Sequence, residues 1–134
     1  DFAVVRLDRD TGRPGLMMQT RDGIAVGTPL ALIGHPLGLP MEIASGGTVV
    51  NSRSGRSVFE ATLDALDSNS GSPVIDRAGT VIGAAFDGNI HSLGGNYGYD
   101  GTLNRTVAVS AAAVQEALET IYPAPALVEE LARR

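Results

Sequence analysis

The sequence predicts an all-β domain followed by a helical C-terminal segment. Short apolar runs rich in Val and Ile alternate with turn residues, and the 134 residues include 17 Gly and 7 Pro. This spacing of strand-forming runs and turns is typical of small barrels and sandwiches. After Ser110 the composition shifts to Ala, Glu and Leu, which favour helix. We therefore expect a β domain over residues 1–109 and a helical segment over residues 110–134.

The first half of the chain contains four runs with strand character, which are residues 1–8, 29–33, 41–52 and 57–64. Within the third run, the pair Gly46-Gly47 predicts a bulge. The fourth run alternates apolar and polar residues, which predicts a half-buried strand. Gly34 begins a predicted turn that ends at Pro40, and residues 52–56 form a predicted hairpin turn.

The second half contains three shorter strand-like runs, which are residues 73–76, 81–86 and 105–109. The first two flank a turn and predict a hairpin. Residues 87–104 form a long polar, Gly-rich loop, and loops of that length in small domains are usually functional. Ser110 is a predicted N-cap for a helix over residues 111–122, and a second short helix is predicted over residues 126–134.

Composition argues against several classes of function. The formal net charge is −5, whereas a nucleic-acid partner requires clustered basic residues. No apolar run is long enough to span a membrane. With no Cys and only two His, neither of which has Asp or Glu at ligand spacing, we expect no disulfide, no metal site and no cofactor.

The stretch Asn-Ser-Gly-Ser-Pro at residues 69–73 carries the main chemical signal. Acyl transfer needs a nucleophile on a constrained turn, with backbone N–H groups aimed at the developing oxyanion. Ser70 fits the first requirement, because Gly71 permits close backbone approach and Pro73 stiffens the next strand. An ordinary turn remains open as an alternative, since Ser, Gly and Pro populate turns for local reasons.

Three segments in order along the chain resemble trypsin-like serine peptidases of bacteria. They are DFAVVRL at residues 1–7, LIGHPLGLPMEIASGGTV at 32–49, and NSGSPV followed by TVIGAAF within 69–86. Residues 84–109 are also similar to bacterial dipeptidyl peptidases of the same fold. The resemblance implies the second barrel of a trypsin-like domain, a six-stranded antiparallel Greek-key barrel that includes the acid strand and carries a C-terminal helix.

The resemblance also implies roles for individual residues. Ser70 corresponds to the nucleophile, Asp1 to the acid that orients the catalytic imidazole, and the N–H groups of Ser68 and Ser70 to the oxyanion hole. The family carries Gly where this chain has Ser68. We therefore expect either backbone strain or a flipped peptide at this position.

Five further residues correspond to substrate-binding positions, namely Asp64, Ala85, Phe86, Asp87 and Gly88. The last four match the strand edge that pairs with substrate backbone. Asp64 matches the base of the primary specificity pocket, where an acid favours Arg or Lys, although a strand-end residue that satisfies a turn is the alternative. Gly88 stands where dipeptidyl peptidases that cut after acidic residues carry Arg, which argues against acidic specificity.

The resemblance leaves the catalytic base without a candidate. His35 matches a structural loop and His91 lies in the long loop, so neither is expected to be the base. We expect a bacterial, secreted or periplasmic serine endopeptidase whose His lies in an upstream barrel, acting on peptides or proteins. The face toward that barrel would promote self-association. A catalytically inactive peptide-binding module and an exopeptidase with a helical insertion are the alternatives.

Overall fold

A computed structural model of the chain describes residues 5–21, 23–52, 57–94 and 97–132. Its strands are β1 (Pro29–Gly34), β2 (Glu42–Ser52), β3 (Val58–Ala61), β4 (Pro73–Asp76), β5 (Val81–Gly88) and β6 (Thr106–Ser110). Its helices are α1 (Ala111–Thr120) and α2 (Pro125–Ala132). The first 3-10 turn covers Pro36–Gly38, and the second covers Ile90–Gly94.

The six strands close into an antiparallel barrel in the order β1-β2-β3-β6-β5-β4. β1, β2 and β3 are consecutive neighbours, and β4 returns to pair with β1, which is the Greek-key arrangement. The fold predicted from the sequence is thus confirmed. Because β3 and β4 lie on opposite sides of this barrel, residues 62–72 must cross one of its ends.

The barrel is filled by alternate side chains of its strands. In β3, Phe59 and Ala61 point inward and are 2% and 0% exposed, as the alternation predicts. Gly83 in β5 lies so close to the Phe59 ring and to the Val109 carbonyl that a Cβ would overlap both. Close packing of this kind fixes the strands rigidly beneath the loops.

A bulge lies in β2 at the predicted Gly pair. Leu30 pairs with Gly47 and Ala31 pairs with Ser45, so Gly46 has no partner in β1. Gly46 has φ +85°, a left-handed conformation that glycine adopts at little cost. The extra residue bends β2 at this point.

The helical segment follows the prediction in outline. Ser110 caps α1, because its Oγ accepts a hydrogen bond from the Ala113 N–H at 3.1 Å. Val114 and Leu118 are buried, and α1 packs on β5 and β6 while α2 packs on α1. The predicted helix over residues 111–122 is slightly too long, since α1 ends at Thr120 and Ile121 is 68% exposed.

Asp1, the predicted catalytic acid, lies outside the described residues. Within the predicted first strand, the described residues 5–8 form no strand, and Val5 and Leu7 are exposed. A strand needs a neighbour to satisfy its backbone groups, and no described strand pairs with this segment. In the part of the chain that the structure describes, no helix is long and apolar enough to cross a membrane.

Candidate active site

Ser70 lies at the tip of a turn that is fixed at both ends. The Ser72 N–H donates to the Asn69 carbonyl at 2.9 Å and closes the turn, while Gly71 adopts φ +88°. Two bonds tie the turn to β5: the Gly71 N–H donates to the Ala85 carbonyl at 2.7 Å, and the Ala85 N–H donates to the Ser72 carbonyl at 3.0 Å. The Ser70 side chain is therefore exposed on a rigidly held turn.

A cleft of about 230 Å³ opens beside Ser70. The cleft is lined by residues 65–70 and 85–89, by Ser92 and Leu93 of the second 3-10 turn, and by Arg105 and Thr106. The predicted substrate-binding residues 85–88 all line this cleft, as does Ser68. The structure thus brings together Ser70, both candidate oxyanion donors and the predicted strand edge.

Phe86 lies at an irregular point of β5. The pairing of β5 with β6 shifts register between Ala85 and Asp87, so Phe86 falls outside the ladder. The Phe86 carbonyl accepts a hydrogen bond from Ser70 Oγ at 3.5 Å, a long contact at the limit of hydrogen bonding. A bulge next to a candidate nucleophile redirects backbone groups toward the cleft.

Ser68 adopts an unusual backbone conformation. Its φ is +70°, in the left-handed region that favours glycine. The sequence comparison of Ser68 with the glycine of similar peptidases pointed to strain at this residue, and the dihedral angle is consistent with that expectation. Strain held beside a candidate catalytic group is a feature of functional sites.

Sequence reasoning missed the support beneath the turn. Asn69 is 5% exposed, and its Oδ1 accepts a hydrogen bond from Ser72 Oγ at 3.3 Å. Gly34, at the end of β1, lies directly against both side chains, and a Cβ there would overlap Asn69 Oδ1 and Ser72 Oγ. The signal available in the sequence was Gly34, just before His35. Its role depends on a contact with Asn69, which lies 35 residues further along the chain.

Asp64 does not line the Ser70 cleft. It borders a small adjoining depression with Leu32, Pro36 and Glu42, which shares Leu66 and Asn69 with the cleft. Partial burial raises the pKa of the Asp64 carboxyl above its ordinary 3.8, and repulsion from Glu42 raises it further. This position agrees better with the alternative of a strand-end residue than with a residue at the base of a specificity pocket.

Replacing Asp64 with Asn is expected to increase stability in a pH-dependent manner. A raised carboxyl pKa means that the folded protein holds this proton more tightly than the unfolded chain, so ionisation of Asp64 lowers the free energy of unfolding. The loss develops as the pH rises from below 3.8 through the raised pKa. Urea unfolding at about pH 3 and about pH 7 should show a higher free energy of unfolding for Asp64→Asn than for the unaltered protein only at the higher pH.

Glu42→Gln provides the control for this prediction. It removes the smaller of the two causes that raise the pKa of Asp64, so the benefit of Asp64→Asn should shrink in its presence. An equal benefit at both pH values would show that the amide acts through packing and that the Asp64 charge has no role.

Neither histidine lines the Ser70 cleft. His35 precedes the first 3-10 turn, and its Nδ1 lies 3.2 Å from the Leu39 carbonyl. His91 lies in the second 3-10 turn, where its backbone carbonyl accepts a hydrogen bond from Asn104 Nδ2 at 3.3 Å. Both side chains are exposed. No group of three potential metal ligands occurs among the residues that the structure describes.

Arg105 and its neighbours form a part of the cleft that sequence reasoning did not identify. The guanidinium donates to the carbonyls of Gly101, Thr102 and Asn104 at 3.2, 2.9 and 2.6 Å, and so it anchors the end of the long loop. Ser92 Oγ donates to the Arg105 carbonyl at 3.2 Å, joining the second 3-10 turn to β6. These bonds hold the end of the long loop and the second 3-10 turn beside the start of β6.

Two family profiles match the chain. The profile described as peptidase S46 matches residues 43–133, and the profile described as trypsin-like peptidase domain matches residues 1–83. Each covers more than half of the sequence, and they overlap across the Ser70 turn and β4.

Curated relatives and solved structures agree with these profiles. Over 73 residues the chain is 41% identical to dipeptidyl-peptidase 7 of Phocaeicola vulgatus and 40% identical to that of Capnocytophaga gingivalis. Each match covers 54% of this chain and 10% of the relative, so the matched stretch is about a tenth of the length of those proteins.

The fold itself occurs in solved proteases. The active form of the Rv3671c protease from M. tuberculosis superposes with a TM-score of 0.60 at 19% identity, over 81% of this chain and 48% of that one. Kallikrein-related peptidase 10 gives a TM-score of 0.55 at 14% identity, over 82% and 57%. At these identities the likeness concerns the fold alone. On its profile matches, the chain belongs to the peptidase S46 family and carries a trypsin-like peptidase domain.

Proposed function

We propose that the chain supplies the nucleophile, the oxyanion hole and the substrate-binding edge of a serine peptidase. The observation that carries the proposal is the position of Ser70, exposed on a fixed turn at a cleft that the irregular end of β5 also lines. Membership of a peptidase family supports the same chemistry. The proposed mechanism uses only side-chain and backbone groups of the protein and water.

In this mechanism Ser70 Oγ attacks the carbonyl carbon of the scissile peptide bond and gives its proton to a general base. The carbonyl oxygen becomes an oxyanion, which accepts hydrogen bonds from the N–H groups of Ser68 and Ser70. The base then returns the proton to the leaving amine, and the C–N bond breaks. Water, deprotonated by the same base, hydrolyses the acyl-enzyme and restores the Ser70 hydroxyl.

The general base is proposed to be a histidine outside this 134-residue sequence, in the first barrel of a trypsin-like domain. The positions of His35 and His91 support this assignment, because both lie outside the Ser70 cleft. Asp1 is proposed as the carboxylate that holds the imidazole in the correct tautomer. That first barrel, or a second copy of the chain, would cover the exposed apolar residues Leu37, Leu39, Met41 and Ile43.

A substrate peptide is proposed to bind along residues 86–88. β4 pairs with β5 only as far as Ala84, so in the described residues the side of residues 86–88 that faces away from β6 has no strand partner, and its backbone can pair with an extended peptide. Specificity would then come from pockets for alternate side chains of that peptide. Asp64 is not proposed as a specificity determinant, because it borders a different depression.

Labelling with a fluorophosphonate probe tests the proposal, because the probe reacts with an activated serine. The natural gene product that contains this chain together with a first barrel should be labelled at Ser70, and the 134-residue chain alone should not. If the longer protein is folded, as judged by circular dichroism, and remains unlabelled, the peptidase proposal fails. A peptide-binding module without catalysis would then be the better assignment.

Removal of dipeptides from a free N-terminus is a second candidate activity. The relatives named dipeptidyl-peptidase 7 favour it, and so does Asp87, an exposed carboxylate in the cleft beside the proposed substrate strand. A carboxylate there can pair with a substrate ammonium group.

A matched pair of peptides decides between the two activities. An exopeptidase should cleave a peptide with a free N-terminus at least about 100-fold faster than its acetylated form, because the acetyl group removes the charge that Asp87 would pair with. Asp87→Asn should reduce this preference. Equal cleavage of both peptides would establish an endopeptidase.

A further inference from the structure

The peptide unit between Asp67 and Ser68 is held from outside the cleft. The Leu37 N–H, in the first 3-10 turn, donates to the Asp67 carbonyl at 3.0 Å. Asp67 and Ser68 line the Ser70 cleft, whereas Leu37 does not. One hydrogen bond therefore joins the first 3-10 turn to the backbone that carries a proposed oxyanion donor.

The direction of that bond fixes the direction of the Ser68 N–H. The peptide unit is planar and trans, so its C=O and N–H point in opposite directions. Because the Asp67 carbonyl points toward Leu37, the Ser68 N–H points away from the first 3-10 turn. Asp67 and Ser68 both line the Ser70 cleft, so an N–H directed away from Leu37 can face that cleft, as a donor to an oxyanion must.

The opposite orientation is locally easier for serine. Rotating this peptide plane by half a turn changes the φ of Ser68 from +70° to about −110° (70 minus 180), which is an ordinary value for any residue with a Cβ. Glycine, lacking a Cβ, has no such bias. Leu37 also has a left-handed backbone, with φ +54°. The donor residue Leu37 and the residue that follows the acceptor, Ser68, are therefore both strained.

We propose that Leu37 is a positioning residue whose backbone N–H holds the Asp67–Ser68 peptide in the orientation needed for the oxyanion hole, against the preference of Ser68 for the flipped orientation. The peptide is a two-state element, and the first 3-10 turn and Ser68 bias it in opposite directions. This inference rests on the proposed function for its catalytic consequence, but the hydrogen bond and its competitor can be tested without activity.

Amide hydrogen exchange of the 134-residue chain, followed by NMR, is the first test. Ser68→Gly removes the cost of the left-handed conformation, so the Leu37 amide should exchange about fivefold to tenfold more slowly. In Ser68→Ala, which keeps the Cβ, the Leu37 amide should exchange at the same rate as in the unaltered chain. The Leu39 amide, which donates to the Pro36 carbonyl at 2.8 Å within the same turn, should not change in either variant.

Two outcomes of the exchange experiment would overturn the inference. Unchanged exchange of Leu37 in Ser68→Gly would show that Ser68 does not compete with the hydrogen bond. Equal slowing of Leu37 and Leu39 would show that the whole turn has become more rigid and that the Asp67–Ser68 peptide has no separate equilibrium.

Turnover by the longer natural protein is the second test. Replacing the backbone N–H of Leu37 with an ester oxygen removes this donor and weakens the Pro36 carbonyl, which accepts the Leu39 N–H. It should lower kcat about tenfold or more with little change in KM. Ser68→Gly should raise kcat. The same ester substitution at Leu39 should lower thermal stability without a comparable loss of kcat.

These results separate the inference from the proposed function. If fluorophosphonate labels Ser70 but the Leu37 ester leaves kcat unchanged, the positioning role is wrong while the peptidase assignment stands. If no labelling occurs and Ser68→Gly still slows Leu37 exchange, the two-state peptide is real and the peptidase assignment is wrong.

Discussion

Ser70→Ala is expected to lower peptide turnover by about a millionfold in the longer natural protein. Removing the nucleophile of a triad costs about this much, and the oxyanion hole and substrate binding account for the residual rate. Ser70 is exposed on its turn, so the loss of one hydroxyl removes only the long contact to the Phe86 carbonyl. The measurement is kcat on a peptide substrate, with circular dichroism to show that the fold is retained.

Ser45→Ala is the matched control for this prediction. Ser45 is an exposed serine on β2 next to the bulge, and it borders a depression separate from the Ser70 cleft. Turnover by this variant should stay within about twofold of the unaltered protein. If Ser70→Ala keeps more than about 1% of the original kcat, a different residue is the nucleophile and the proposed mechanism is wrong.

Gly34→Ala is expected to damage both stability and activity. The added Cβ would overlap Asn69 Oδ1 and Ser72 Oγ, and Asn69 is too buried to move aside freely. Overpacking of this kind costs about 1–3 kcal/mol of unfolding free energy. Because the displaced atoms support the turn on either side of Ser70, labelling by fluorophosphonate should fall even where the protein remains folded.

Urea unfolding and labelling kinetics measure the two effects of Gly34→Ala. Gly94→Ala is the control, since a Cβ at Gly94, in the second 3-10 turn, meets no atom of the described residues beyond its chain neighbours within 4 Å. It should alter the unfolding free energy by less than about 0.5 kcal/mol. A Gly34→Ala protein with unchanged stability and labelling would show that the support beneath the turn is not needed.

The features that the sequence predicted well are those encoded over short distances. The alternation around Phe59 is a local pattern that fixes which face of the strand is buried. Ser110 caps α1 through a bond to a residue three positions away, and Gly46 occupies its bulge through its own backbone freedom. Each depends on neighbours that can be seen in one short window of the chain.

The features that could not be predicted from the sequence depend on contacts between distant segments. Gly34 meets Asn69, and Leu37 meets Asp67, only because the barrel places the end of β1 beside the 62–72 crossing. Asp64 has a sequence offset from Ser70 that matches a specificity-pocket residue, but the path of the crossing carries it outside the cleft. Offsets along an irregular loop do not determine which way a side chain points.

The crossing of residues 62–72 from β3 to β4 also has a consequence for when activity can arise. The Ser70 turn is anchored to Ala85 in β5, and the peptide before it is anchored to Leu37 after β1. These partners are brought together only when β4 has paired with both β1 and β5. Such long-range closure is slow and comes late in folding. In a nascent or partly unfolded chain, Ser70 would therefore lack the geometry that the proposed attack requires.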